Sequence, residues 1–223
     1  MTSLPPNDAV HGAVRRLRTG LAEPGLARAV AAYFDPDDVF AGMTFTYVGT
    51  NPRDEVTPDD LLAVSLLDIV WRPDAVRQLL GPESAKVSRL LAAISSDTDL
   101  WEATDDDLAA VDPLWDFLLR MPGVGTATAS KLLARKRPRL CPVSDKVAVQ
   151  AVGVPGWTWV TLRSLLQDPD ARAQVERLRP PSAAGASLLR ILDVAISIRH
   201  SHSRAASHVR REAGIAEPDH GRP

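Results

Sequence analysis

Apolar residues recur along this chain mostly at three- and four-residue intervals, the spacing of one face of an α-helix. Leu114, Trp115, Phe117, Leu118 and Met121 trace such a stripe, which stops before Pro122 because proline cannot continue it. Leu188, Leu189, Ile191, Leu192, Val194, Ala195 and Ile198 trace another after Pro180-Pro181. A third run, from Leu61 through Leu62, Val64, Leu66, Leu67 and Ile69 to Val70, is apolar on most sides and predicts a well-buried helix. It opens on Thr57-Pro58-Asp59-Asp60: a capping threonine, a proline at the first helical position and two acids in the first turn. Asp112-Pro113 reads as a second start of the same kind. Further helices are predicted over about 9–18, 24–33, 73–80, 83–94, 104–110, 127–136, 145–152, 157–167, 170–178 and 184–199. The one strand candidate is Thr44-Phe45-Thr46-Tyr47-Val48, which equally suits an extended loop.

Many helices, short connections and almost no strand imply an all-α fold, a two-lobed helical globule. The expected segments are 1–56 (N-terminal helices and an extended stretch), 57–199 (the main helical domain, with a hairpin at 112–136) and 200–223 (a basic helix and a mobile tail).

Composition narrows the function classes. The chain has 223 residues, 45% hydrophobic and 24% charged, which excludes wholesale disorder. With 26 basic and 28 acidic residues the net charge is −2, so a uniformly basic nucleic-acid coat is excluded, while a local basic face is not. The charge is in fact segregated. Residues 97–116 hold eight acids and no Lys or Arg. Residues 120–146 hold Arg120, Lys131, Arg135, Lys136, Arg137, Arg139 and Lys146 against Asp145 alone, a net of +6. Two readings fit: an anion-binding face beside a repelling one, or two solvated surfaces.

The lone Cys141 excludes an intramolecular disulfide, a Cys-rich zinc site and a four-cysteine iron–sulfur cluster. His200, His202 and His208 lack acids or cysteines at ligand spacing, so no metal and no cofactor is expected. No apolar run approaches ~18 residues, and Met1 to Asp8 lacks the regions of a signal peptide. A cytoplasmic chain without membrane association, and a monomer, is expected.

The most informative stretch is Leu119-Arg120-Met121-Pro122-Gly123-Val124-Gly125-Thr126-Ala127-Thr128-Ala129. A helix ends at a proline, a Gly-Val-Gly turn follows, and a second helix starts on small residues. Gly123 and Gly125 would allow positive φ and leave the turn bare. Val124 would plug inward. The amides of Gly125, Thr126 and Ala127 would then face outward from a helix N-terminus, where they can hold a phosphate oxygen. Thr126 or Thr128 adds a hydroxyl donor.

This segment resembles the helix-hairpin-helix motif of DNA-binding proteins. The resemblance extends downstream, through Pro142-Val143-Ser144-Asp145-Lys146-Val147, to the helix-hairpin-helix DNA glycosylase superfamily. In that family an aspartate follows the second hairpin glycine by twenty residues, the separation of Gly125 and Asp145 here. Similarity is firm over about residues 113–153. It implies duplex DNA, with or without damage, as partner. Phosphate contacts would come from Gly123, Val124, Gly125, Thr126, Ala127 and Thr128, helped by Lys131 and Lys146. Asp145 would be catalytic in a monofunctional base-excision glycosylase: cleaving an N-glycosidic bond develops oxocarbenium charge, which a nearby carboxylate stabilises while orienting water. Asp145 and Ser144 also suit a simple helix cap.

Departures from the family pattern open two alternatives. The lyase lysine of bifunctional members falls at Ala127 here, which removes Schiff-base chemistry by that route. Lys146 replaces the usual threonine, and a lysine there can pair with Asp145 or hold a phosphate. The alternatives are a non-catalytic DNA-binding module and a protein-interaction domain with a vestigial hairpin. The cluster Arg135-Lys136-Arg137-Pro138-Arg139 ends the second hairpin helix, ~15 Å from its N-terminal amides, and reads as helix-dipole complement or as a second backbone contact.

Overall fold

The computed structural model describes residues 7–37 and 40–218. Among them it is all-helical, without a strand. The helices are α1 (Asn7–Leu21), α2 (Leu26–Tyr33), α3 (Ala41–Tyr47), α4 (Pro58–Ser65), α5 (Pro73–Leu79), α6 (Ser84–Ala92) and α7 (Asp105–Ala109). They continue with α8 (Asp112–Leu119), α9 (Thr126–Lys136), α10 (Lys146–Val152), α11 (Thr158–Gln167), α12 (Pro169–Arg177), α13 (Leu188–His200) and α14 (Arg204–Ala213). No described helix is long and apolar enough to cross a membrane. The sequence readings at Met1–Pro6 and at the last five residues lie outside the described residues.

The chain divides into two compact units, one from residues 1–40 and 146–223, the other from 41–145. This discontinuous division runs across the boundaries drawn from the sequence at 56 and 199. In the first unit, α13 packs against α2, α10, α12 and α14, and α1 packs against α11. Leu192, Val194, Ala195 and Ile198 are buried along the predicted stripe of α13. In the second, α9 packs against α4 and α8, and α8 also meets α6. Leu61, Val64, Leu91, Leu118 and Leu133 fill that core.

Capping chemistry explains the clearest helix starts. At α4 the Asp60 amide donates to Thr57 Oγ1 (3.3 Å) and the Thr57 amide donates back to Asp60 Oδ2 (2.9 Å), a reciprocal capping box. Thr104 and Asp107 repeat it at α7. Asp112 does not: it is the first residue of α8, whose cap position is Val111 with no side-chain bond.

Three further expectations are corrected. Thr44 to Val48 is no strand; Thr44–Tyr47 lie in α3. Their β propensity loses to tertiary bonding, since the carbonyls of Phe45, Thr46 and Val48 all accept from Arg135. Helix α4 stops at Ser65, well short of Val70, and is not well buried all round: Leu62 (51%), Leu66 (40%) and Val70 (92%) are exposed. The basic C-terminal helix is no solvated tail throughout. Arg210 of α14 is fully buried and donates to the carbonyls of Ile198 and Ser201 at the end of α13.

That last contact recurs. A helix C-terminus leaves its final carbonyls without intrahelical donors. Here arginines supply them: Arg28 at α14 (Ala213 O, 2.9 Å), Arg172 at α11 (Leu166 O, 2.6 Å) and Arg16 at α10 (Val152 O, 3.0 Å), each within the first unit.

Candidate functional site

The hairpin lies wholly in the second unit. Helix α8 ends at Leu119, and Val124 donates its amide to Met121 O (3.1 Å) to close the turn. Pro122, Gly123, Gly125 and Thr126 are exposed, while Val124 is buried as the inward plug. The two glycines differ. Gly123 has φ +77°, a left-handed conformation that only glycine adopts without strain. Gly125 sits at φ −95°, ψ −179°, extended backbone open to any residue. A methyl group at Gly125 would meet nothing within 4 Å, so that face of the turn is open.

Gly125 is the cap position of α9 and no side chain caps the helix. The first intrahelical bond runs from the Ala129 amide to Gly125 O (2.9 Å). The amides of the first turn of α9 therefore lie at an exposed, uncapped helix start. No acid occupies that turn. Thr126 offers an exposed hydroxyl; Thr128 is buried and does not, and Ala127 is half-buried.

Asp145 is held by the same helix. Ser130, buried in the second turn of α9, accepts the Ser144 amide (3.0 Å). One residue on, Lys131 places its ammonium 3.3 Å from Asp145 Oδ2, and the same nitrogen donates to Leu67 O (2.9 Å). The Lys131 side chain is 10% exposed and that of Asp145 is 24% exposed. Lys131 thus pairs with Asp145, while the adjacent Lys146 is exposed as the first residue of α10. Lys131 is turned inward to a carbonyl and a carboxylate rather than outward to solvent.

The basic cluster is the largest departure from the sequence picture. Arg135, Lys136 and Arg137 are 3%, 4% and 1% exposed. Arg135 donates Nε to Asp60 Oδ1 (3.2 Å), Nη1 to Phe45 O (2.6 Å) and Thr46 O (2.8 Å), and Nη2 to Val48 O (2.7 Å). Lys136 donates to Asp60 Oδ2 (2.9 Å), Asn51 Oδ1 (2.6 Å) and Pro52 O (2.7 Å). Arg137 donates to Ile94 O (2.9 Å), Arg53 O (2.6 Å), Leu91 O and Asp54 Oδ1 (2.6 Å). Asp60, fully buried, carries two of these cations as well as its own capping box. Burial pushes the Lys136 ammonium below its usual pKa, and Asp60 opposes that shift. This face is neither a solvated surface nor a backbone-contacting patch, because its donors are bound to internal carbonyls. Arg139 pairs with Asp99 from the acidic stretch.

The surface charge beside the turn comes from residues that sequence reasoning missed or passed over. Arg120, exposed, ends α8. Arg72 lies across Gly123: a Cβ there would come 2.1 Å from Arg72 Cδ. Its side chain is 61% exposed, and its guanidinium forks onto Asp74 (3.2 Å to each oxygen). Nothing local in the sequence links Arg72 to the hairpin; only the tertiary packing does. Trp157 and Trp159 are both half-buried. Among the described residues no cluster of His, Cys, Asp or Glu is arranged to hold a metal.

A family model described as a family of unknown function (DUF6308) matches residues 26–200, from the first residue of α2 to the last of α13. The matched span takes in the hairpin, the buried cluster and Asp145. No curated protein and no solved structure matches the chain.

Proposed function

We propose that this chain, which belongs to the DUF6308 family, binds DNA through the backbone amides of the turn at Gly123–Thr128. The observation that carries the reading is the exposed, uncapped start of α9. Its bare amides and helix dipole favour an anion, and no side chain or acid competes for them. Arg120, rather than Lys131, supplies the adjoining positive charge, and Arg72 lies beside the turn with its guanidinium shared with Asp74. With so few cations at the turn, the contact covers few phosphates. Affinity should fall with salt at a log–log slope of about −0.9 per phosphate neutralised on duplex DNA.

Titrating fluorescent duplex with the full chain at several salt concentrations tests the reading. Gly125→Val is the matching variant, because its backbone suits valine and no neighbour lies within 4 Å of the added Cβ. Salt-dependent binding that this variant weakens supports the anchor. Undetectable or salt-insensitive binding points instead to a protein-interaction domain with a vestigial hairpin.

The tether from Ser130 and Lys131 to the Asp145 segment favours a second reading, a monofunctional glycosylase with Asp145 facing the reacting sugar. The Lys131 ammonium competes with an oxocarbenium for that carboxylate, which ranks binding above catalysis. Base release from a panel of damaged duplexes, abolished by Asp145→Asn with binding retained, would establish the enzyme. No free base from the wild-type protein leaves the non-catalytic module.

A further inference from the structure

The unit formed by residues 1–40 and 146–223 carries a separate feature. Helices α1, α10 and α13 line a partly open pocket of about 180 Å³. Leu17, Leu192 and Ile196 give it apolar walls, and Ala151 lines it from α10. Its polar lining is Arg16, Arg199 and His200. No carboxylate is among the described residues that line it.

The two arginines are held by hydrogen bonds to backbone carbonyls. Arg16, exposed, anchors one nitrogen on Val152 O (3.0 Å). Among the described residues no acid pairs with it. Arg199 donates to Gly20 O (3.1 Å) and pairs with Glu23 outside the pocket lining. His200 is kept below its ordinary pKa by burial and by the positive charges of Arg199 and Arg210, so it is neutral at pH 7 and free to donate or accept.

We infer that this pocket binds a small organic monocarboxylate. A neutral hydrocarbon would fill the walls but leave Arg16 without an anion. An inorganic anion would pair with Arg16 but leave the apolar walls wet. A carboxylate on a short apolar body meets both. The size is bounded as well: a cavity of about 150 Å³ holds benzene, so the body has about five to eight carbons, the scale of benzoate or hexanoate. Planar guanidinium groups match a carboxylate with two parallel bonds.

The test is isothermal titration of the full chain with hexanoate and benzoate, with hexanamide and benzamide as neutral matches and inorganic phosphate as the bare anion. Both carboxylates should bind, and both amides at least about tenfold more weakly, the loss of a charge-assisted bond. Arg16→Gln should weaken the carboxylates by a similar factor and leave the amides unchanged. Ala151→Phe, which fills the pocket from a half-buried position, should abolish binding while thermal unfolding stays cooperative. If that variant fails to fold, Arg16→Gln alone decides, since its side chain is exposed. Absence of carboxylate binding overturns the inference. So does equal affinity for acid and amide, phosphate binding as tight as hexanoate, or unaltered binding in a folded Ala151→Phe.

Discussion

The two ends of α9 are built from opposite materials and do opposite things. Its N-terminus has backbone donors and no side chain to meet them, and it lies at the surface. Its C-terminus has three consecutive cations, all buried, meeting carbonyls from α3, α6 and the loop at residues 51–53. Eleven residues separate a surface open to a ligand from one of the most densely bonded parts of the core. The contrast shows that a basic run in a sequence measures donors, not surface potential. Donors placed where helices end are claimed by carbonyls before any partner arrives.

Substitutions at the two ends should separate stability from binding. The largest effect is expected at Asp60. Asp60→Ala strands Arg135 and Lys136 as buried charges and should cost about 3–5 kcal/mol in denaturant unfolding. Arg135→Met removes the donors of three carbonyls and one partner of Asp60, and should cost about 2–4 kcal/mol. In a folded preparation at low temperature it should leave DNA affinity unaltered; a large affinity loss would mean that the buried end takes part in binding. Gly123→Ala forces a side chain into left-handed backbone and against Arg72, for about 1–3 kcal/mol. Gly125→Val, which puts a poor cap residue at the start of α9, should cost no more than about 1 kcal/mol while weakening DNA. Stability loss without binding loss there would refute the anchor.

The smallest effect is a pH slope. Burial lowers the pKa of Lys136 from 10.5, so between the folded value and 10.5 the unfolded chain holds the extra proton. The stability contributed by this group therefore rises with pH across that window. Wild type should gain on Lys136→Met as the pH climbs through the folded value toward 10.5, read from urea midpoints in paired titrations. A constant difference would mean that Asp60 compensates the burial fully.

The helices were legible wherever one segment carried its own information. Thr57 with Asp60, and the stripes of α8 and α13, announce themselves by spacing alone. The hairpin turn was legible for the same reason, down to Val124 as its plug. What failed to show was long-range. Thr44 to Val48 reads as strand because the residue that stabilises it as helix, Arg135, lies far along the chain. Lys131 and Lys146 have the same chemistry as candidates for Asp145, and only the geometry of α9 selects Lys131. Arg72 carries no mark of its place beside Gly123.

The long-range capping of α3 also bears on the order in which this molecule is assembled. Seven residues are too few to hold a helix alone in water. Its closing carbonyls wait for a guanidinium translated ninety residues after Phe45. During synthesis, residues 41–48 must stay uncommitted until α9 has left the ribosome. A nascent chain halted before residue 135 would present that segment, with its two threonines and two aromatics, as an unclaimed strand edge to whatever it meets.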